Sequence, residues 1–284
     1  MTEADNRGGG RVIKLGGRVQ QDPALPAAIA AAWTVAPGAL CVVHGGGDEV
    51  SALQGAMGIK PRFLGGRRVT GQEDIALLRM ALSGVSNKQL VSALVGAGID
   101  AIGLSGEDAG LVIATRSADV ALGLVGDPTR ISVSLLSHLL RGGYLPVISP
   151  LSRAEGEPAG ALNVNGDDAA AAIAVALGAA ELLLVADVPG VLVSGAPRAS
   201  QDAVESRAQI ASGEASGGMA AKLEAALGAL ARGVKRVRIG NVAAISDASL
   251  GTSIVAGSGP LKLSTTARAS TGAAGGSSSV RSLA

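Results

Sequence analysis

Lys14 stands inside the apolar run RVIKL and is followed at once by Gly16 and Gly17. A single lysine on the wet face of an alternating strand is ordinary, but these glycines offer no side chain to cover it and leave backbone N–H groups open to an anion. A second cluster, Gly45 to Gly47, separates the run LCVVH from a helical stretch. Amides at such a helix start attract negative charge, and the same glycines also suit a plain strand-to-helix turn. Further along, LNVNGDD sets Asn163, Asn165 and Asp167 ahead of an Ala-rich helix. Asp167 is either that helix's cap or, with Asn163 and Asn165 on one face of an extended approach, part of a polar mouth. SGGMAAK places Lys222 one turn into a helix opened by Gly217 and Gly218, the end at which the helix dipole disfavours a cation, although a solvated lysine is common there too. Two ammonium groups, an acid and two glycine turns can build the floor of an anion-binding site.

Those residues need elements to hold them. Apolar strand-sized runs recur at Val12 to Leu15, Leu40 to His44, Ala101 to Leu104, Leu145 to Ser149, Leu182 to Ala186 and Arg236 to Ile239. Between them lie helical stretches at Pro23 to Val35, Gly47 to Met57, Glu73 to Ser83, Ser86 to Val95, Ser132 to Leu140, Asp167 to Leu177 and Gly218 to Ala231. This alternation predicts an α/β fold with a mainly parallel sheet covered on both faces. Ligands of such sheets collect beyond the strand carboxyl ends, which selects Gly16, Gly17, Gly45 to Gly47 and Asp187. Shorter β-like pieces between Thr115 and Leu162, including Val120 to Val125, predict a hairpin excursion that shapes a small pocket.

Composition narrows the chemistry. With 284 residues and 48% hydrophobic content the chain can bury a sizeable core. A net charge of +1 without long basic blocks, and an aromatic content of 1%, remove the usual footprints of nucleic-acid and anionic-membrane partners. No apolar run is long enough to span a bilayer. The single Cys41 excludes a disulfide framework, and MTEADNRGGG lacks the basic start and apolar stretch of a secretory signal, so a cytoplasmic location is expected. There is no GxxxxGK[ST] loop and no GxGxxG after a strand. His44 and His138 stand apart without a Cys cluster, so no protein metal site is expected. GLSGED at Ser105 only approximates a hydrolase elbow. Residues 1–10 and the Ser, Thr, Ala and Gly-rich stretch 262–284 offer little to bury, the first expected to be flexible and the second a disordered low-complexity tail.

In order along the chain, KLGG, HGGG, GGRRVT, NKQLVSAL, GLSGEDAG, NVNGD, DVPGVL and GGMAAK resemble the amino acid kinase family over about residues 11–257. The pair GGRRVT and NVNGD resembles the members that act on N-acetyl-L-glutamate more than aspartokinase, carbamate kinase or uridylate kinase. The resemblance implies an open three-layer αβα sandwich that moves the γ-phosphoryl group of ATP to the γ-carboxylate of N-acetyl-L-glutamate. It implies an N-terminal lobe, 11–178, for the amino acid and for dimer contacts, and a C-terminal lobe, 179–261, for ATP. Lys14 and Lys222 would flank the transferring group, with Asp167 holding both ammoniums. Gly46, Gly47, Arg68 and Asn163 would bind acetylglutamate, Arg68 forking onto its α-carboxylate. Gly16, Gly17, Asp187, Val188, Pro189, Gly190, Val191, Leu192, Glu214, Ala215 and Ser216 would hold the nucleotide, and Mg2+ would arrive with ATP, held mostly by phosphate oxygens and water.

Two positions depart from the family pattern. Gly166 stands where alanine is usual, and Ala186 where threonine or serine is usual. The short glycine-rich start also differs from the N-terminal helix that joins arginine-inhibited members into hexamers, which predicts a homodimer little affected by arginine. Kinases for carrier-protein-linked aminoadipate or glutamate, and a non-catalytic amino-acid or nucleotide sensor on the same fold, are the rival expectations.

Overall fold

The computed structural model describes residues 10–157 and 160–257. Nearly all of 1–10 and all of 262–284, the stretches expected to be flexible or disordered, lie outside the described residues. Among those described, an 11-stranded sheet organises the chain. Its strands are β1 (Arg11–Leu15), β2 (Leu40–His44), β3 (Ala101–Gly106), β4 (Val112–Arg116), β5 (Val125–Ile131), β6 (Leu145–Ala154), β7 (Ala161–Val164), β8 (Glu181–Val185), β9 (Ser200–Asp202), β10 (Arg236–Gly240) and β11 (Thr252–Val255). They run in the order β9-β11-β10-β8-β1-β2-β6-β4-β5-β7, with β3 also paired to β6. The centre is parallel. Lys14 lies level with Leu184 of β8 and Val43 of β2. Antiparallel pairs occur at β10–β11, β4–β5 and β6–β7, so the hairpin expected between Thr115 and Leu162 is present, and twice over.

Alternation along the central strands feeds two separate cores, as the two-residue period of a strand demands. Val12, Cys41, Val43, Ile148, Leu182 and Leu184 join helices α6 (Gly166–Ala176) and α8 (Gly217–Ala231) on one side. Ile13, Leu15, Val42, Val147, Leu183 and Val185 meet Leu25 and Ile29 of α1 (Leu25–Val35) and Leu90 and Leu94 of α4 (Asn87–Gly96) on the other. Ala169, Ala170, Ala171 and Ala174 are all fully buried. With almost no aromatic residues to fill space, small side chains bring α6 close to the sheet, and that closeness sets where its first turn, with Asp167, can sit.

Besides β6, which runs five residues past the expected Ser149, the structure departs from the sequence expectation in three places. Glu73 to Ser83 and Ser86 to Val95 are not two helices. α3 (Gln72–Leu78) runs through a π-helical segment (Arg79–Ser86) directly into α4. Gly84 and its flanking serines read as a break, but a glycine inside a helix costs only about 1 kcal/mol, and burial of Ala81, Leu82 and Ser86 holds the segment. Val120 to Val125 is not a strand at its start. Val120–Leu122 form a 3-10 turn, with the Asp119 carboxylate accepting from Ala121 N–H at 3.1 Å and Gly123 at φ +71° ending it. The third is α7 (Ala203–Ser212), which carries a capping box. Asp202 accepts from Val204 and Glu205 N–H at 2.8 and 2.9 Å, and Glu205 accepts from Asp202 N–H at 3.0 Å.

Candidate active site

β1 and β2 end side by side, and each delivers a glycine turn to the same edge of the sheet. Gly45 N–H donates to Leu15 O at 2.9 Å, and a Cβ on Gly17 would lie 3.7 Å from Gly47 N, so the two turns form one surface. α2 (Gly47–Ala56) begins from it. Lys14 points into this edge from β1 rather than into solvent, and is 6% exposed.

Asp167 is what makes a buried lysine tolerable there. Its Oδ1 lies 2.9 Å from Lys14 Nζ, and its Oδ2 lies 3.2 Å from Lys222 Nζ, with all three side chains at least nine-tenths buried. Removing charges from water is costly unless they are paired, and here one carboxylate serves two ammoniums. Burial alone would raise the Asp167 carboxyl, but Lys14 and Lys222 outweigh it and hold the group below its ordinary range. Lys222 moves the other way. Burial, with Lys14 nearby, pulls it down to about 8 against the help of Asp167. Asp167 is not the helix cap. Asn165 takes that role, its Oδ1 accepting from Asp167 N–H at 2.8 Å, which leaves the Asp167 carboxylate for the lysines. A Cβ on Gly166 would sit 3.1 Å from Lys14 Cε, so the glycine leaves Lys14 room.

Two hollows meet at Lys222, and the larger also reaches Lys14 and Asp167. One, of about 550 Å3, is bounded by Lys14, Gly45, Gly46, Gly47, Arg68, Asn163 and Lys222. The other, of about 420 Å3, is bounded by Gly16, Gly17, Asp187, Val188, Met219 and Lys222. Gly16, Gly17, Gly47 and Lys222 belong to both. Arg68 comes from a small hairpin, Phe63–Leu64 paired with Arg67–Arg68. Its Nη2 donates to Gly47 O and Ser51 Oγ, each at 2.8 Å, its Nη1 donates to Gln54 Oε1, and its guanidinium stacks 4.8 Å from the Phe63 ring centroid. Asn163 Nδ2 donates to Thr70 Oγ1 at 3.0 Å.

Of the residues expected at the nucleotide, Gly16, Gly17, Asp187 and Val188 line the second hollow, whereas Pro189 to Leu192 and Glu214 to Ser216 do not. Gly190 and Val191 turn toward β11 instead. Val191 N–H donates to Thr252 Oγ1 at 2.8 Å, and a Cβ on Gly190 would overlap that oxygen at 2.5 Å. Ala215 is buried in the core beside α8.

Sequence reasoning missed three charged residues around the hollows. Arg67 reaches Asp127 at 3.0 Å and Asp168 at 2.8 Å, tying the hairpin to β5 and α6. Burial raises Asp168 to about 6, and Asp167 adds to the rise while Arg67 opposes it. Arg18 lies 3.5 Å from Asp48 and 3.6 Å from Asp187 at the mouth of the second hollow. The doubled arginine in GGRRVT was the one available sign of Arg67, while its partners are too distant in sequence to be paired by inspection.

A central parallel sheet, paired glycine turns and a carboxylate shared by two lysines define a class of phosphoryl-transfer fold, and the chain belongs to the amino acid kinase family, whose model matches residues 10–241. Among curated relatives, acetylglutamate kinase of Chloroflexus aurantiacus (strain ATCC 29366 / DSM 635 / J-10-fl) is 43% identical over 240 residues, covering 83% of this chain and 93% of the relative. Acetylglutamate kinase of Roseiflexus castenholzii (strain DSM 13941 / HLO8) is 42% identical over 249 residues, covering 85% and 93%. In three dimensions, the crystal structure of smu.665 from Streptococcus mutans UA159 is similar with a TM-score of 0.77 at 30% identity, covering 86% of this chain and 98% of that one.

Proposed function

We infer that the chain catalyses ATP-dependent phosphorylation of the γ-carboxylate of N-acetyl-L-glutamate, giving N-acetyl-L-glutamyl 5-phosphate and ADP, the second step of arginine biosynthesis. The observation that carries this reading is the Lys14–Asp167–Lys222 triad at the boundary of two hollows. Curated relatives at 42–43% identity support the choice of substrate. In this reading acetylglutamate occupies the hollow with Arg68 and Asn163, and ATP the hollow with Asp187 and Val188. Gly46 and Gly47 contact the amino acid. Pro189 to Leu192 and Glu214 to Ser216 stand outside the lining of that hollow, so no contact with the nucleotide is assigned to them.

Each residue then has a task. Arg68 presents a planar fork to the α-carboxylate, which a point charge cannot match, on exchanging its bonds to Gly47 O and Ser51 Oγ for the ligand, and Asn163 meets the acetamido group. Lys14, Lys222 and the glycine N–H groups neutralise charge that spreads over the phosphoryl oxygens as the bond to the leaving ADP lengthens. Asp167 takes no proton. It fixes the two ammoniums about the line of transfer. Among the described residues no group of three or more His, Cys, Asp or Glu could hold a metal, and the acids at the site are engaged by Lys14, Lys222 and Arg18. This donor set suits Mg2+ that enters as part of MgATP, coordinated by phosphate and water.

The two cores then flank the sheet as an open three-layer αβα sandwich, with residues 11–178 serving the amino acid and 179–261 the nucleotide. The protein works as a cytoplasmic homodimer. Met80, Val85 and Val95, exposed apolar side chains along α3 to α4, favour coverage by a second copy. No helix among the described residues is long and apolar enough to cross a membrane. The test is a coupled ADP-release assay across N-acetyl-L-glutamate, glutamate, aspartate and N-succinylglutamate. Turnover with the first substrate well above the other three supports the reading, and ADP release with none of them removes it. Light scattering at micromolar concentration checks the dimer, which a monomeric mass would refute.

A further inference from the structure

His44 is fully buried at the last position of β2, next to the glycine turn, and has no part in the chemistry above. Its Nδ1 lies 2.7 Å from Gly45 O, and its Nε2 lies 3.0 Å from Nδ2 of Asn87. A carbonyl only accepts and an amide nitrogen only donates, so the ring carries its proton on Nδ1 and accepts at Nε2. Asn87, itself fully buried on α4, also donates to Val147 O at 3.0 Å, which locks the far side of the ring to β6. Burial, with Lys14 nearby, lowers His44 to about 4 despite its bond to Gly45, so the ring stays neutral and keeps this tautomer at physiological pH. From the opposite chain segment, Gln20 Nε2 donates to the same Gly45 O at 3.0 Å.

A trans peptide is planar, with its C=O and N–H opposed. No described peptide bond is cis, so fixing Gly45 O also fixes the direction of Gly46 N–H, which points the opposite way. Gly46 lines the larger hollow, and its N–H has no acceptor among the described residues. The turn is also closely packed at Gly46, where a Cβ would lie 2.6 Å from Leu82 Cδ2. We propose that His44 and Gln20 are positioning residues for phosphoryl transfer, clamping the Gly45–Gly46 peptide so that Gly46 N–H is aimed at the transferring group. The role given to that N–H rests on the kinase reading above, whereas the clamp itself does not.

Two substitutions separate the ring nitrogens. In His44→Asn the side-chain amide occupies the Nδ1 position and still donates to Gly45 O. In His44→Gln the amide reaches the Nε2 position, retains Asn87 and releases Gly45. His44→Gln is expected to lower kcat by about 10- to 100-fold, below the roughly 10²- to 10³-fold loss from deleting such a donor outright. KM for ATP should stay within about threefold and Tm near the wild-type value, while His44→Asn recovers most of the lost kcat. Crystal structures of both variants, read for the direction of the Gly45 carbonyl, give an answer independent of substrate: rotated in His44→Gln and unmoved in His44→Asn. An unrotated peptide in His44→Gln, or equal losses of kcat in the two variants, overturns the clamp. An inert wild-type protein with the rotation still seen removes the kinase reading and leaves the clamp standing.

Discussion

Asp167→Asn is the substitution that asks most of the site, because it keeps shape and removes one charge from between two ammoniums. The Asp167 carboxylate lies 2.9 Å from Lys14 and 3.2 Å from Lys222, with side-chain exposures of 6%, 8% and 10% for the three residues in that order. Breaking a buried ion pair by removing one partner costs about 3–5 kcal/mol. Part of that cost is avoidable if Lys222, already lowered to about 8 by burial and Lys14, sheds its proton. One pKa unit is about 1.4 kcal/mol, so losing about 3 kcal/mol of support lowers Lys222 by roughly two further units, to about 6. The sign follows directly. Activity that needs the ammonium is present below the folded pKa and is lost as pH rises through it. Initial rates of ADP release between pH 5 and 9 should therefore show an alkaline limb in kcat/KM near pH 8 for the wild type and near pH 6 for the variant. Stability responds at the other end of the scale. The lowered Asp167 pKa contributes stability above the unfolded-state value that is lost as pH falls through the folded value, and this acid-side loss should vanish in the variant. If the variant keeps its limb near pH 8 and its midpoint of urea unfolding at pH 7.5, the triad is not an electrostatic unit and the reasoning is wrong.

Lys14→Ala and Lys222→Ala should each lower kcat by about 10²- to 10³-fold, the scale of losing one preorganised donor, and near-normal turnover in steady-state assays of both would dismiss their roles. Arg68→Lys should raise KM for acetylglutamate about tenfold or more with little change in kcat, because an ammonium cannot fork; a change confined to the KM of ATP would move Arg68 to the nucleotide side. Gly166→Ala would bring a Cβ to 3.1 Å from Lys14 Cε, and displacing that lysine offsets the gain of about 0.4–1 kcal/mol that an unstrained alanine brings, so kcat should fall with no rise in the temperature of thermal unfolding. An alanine that leaves kcat unchanged shows that Lys14 has slack.

How much of this was legible in the sequence depended on whether a signal was local. Lys14 stood out because its neighbours in β1 are apolar and its successors are glycines, and Lys222 because it sits at the wrong end of a helix dipole. Asp167 was ambiguous by itself, since an acid before an Ala-rich helix also reads as a cap. The choice was made by Asn165, two residues earlier. β6 runs on to Ala154, five residues past the expected Ser149, whereas β1, β2, β8 and β10 were legible to within a residue because their runs are largely apolar. The π-helical segment was not, because Gly84 between Ser83 and Ser86 carries the same letters as a loop and only packing decides. Arg67 found Asp127 and Asp168, 60 and 101 residues away, and the ring of His44 found Asn87, 43 residues away. No spacing rule reaches that far. α7 is a different case, since Asp202 and Glu205 spell a capping box within four residues.

The two hollows share a floor at Gly16, Gly17, Gly47 and Lys222. In the proposed reading each substrate has its own chamber, so both can be aboard at once. Double-reciprocal plots should then intersect rather than run parallel, as they would for a phosphorylated enzyme passing its cargo on. The shared floor also means that one molecule bridging both chambers would surrender its freedom of tumbling only once, which makes the seam at Gly16, Gly17 and Lys222 the place for an inhibitor to straddle.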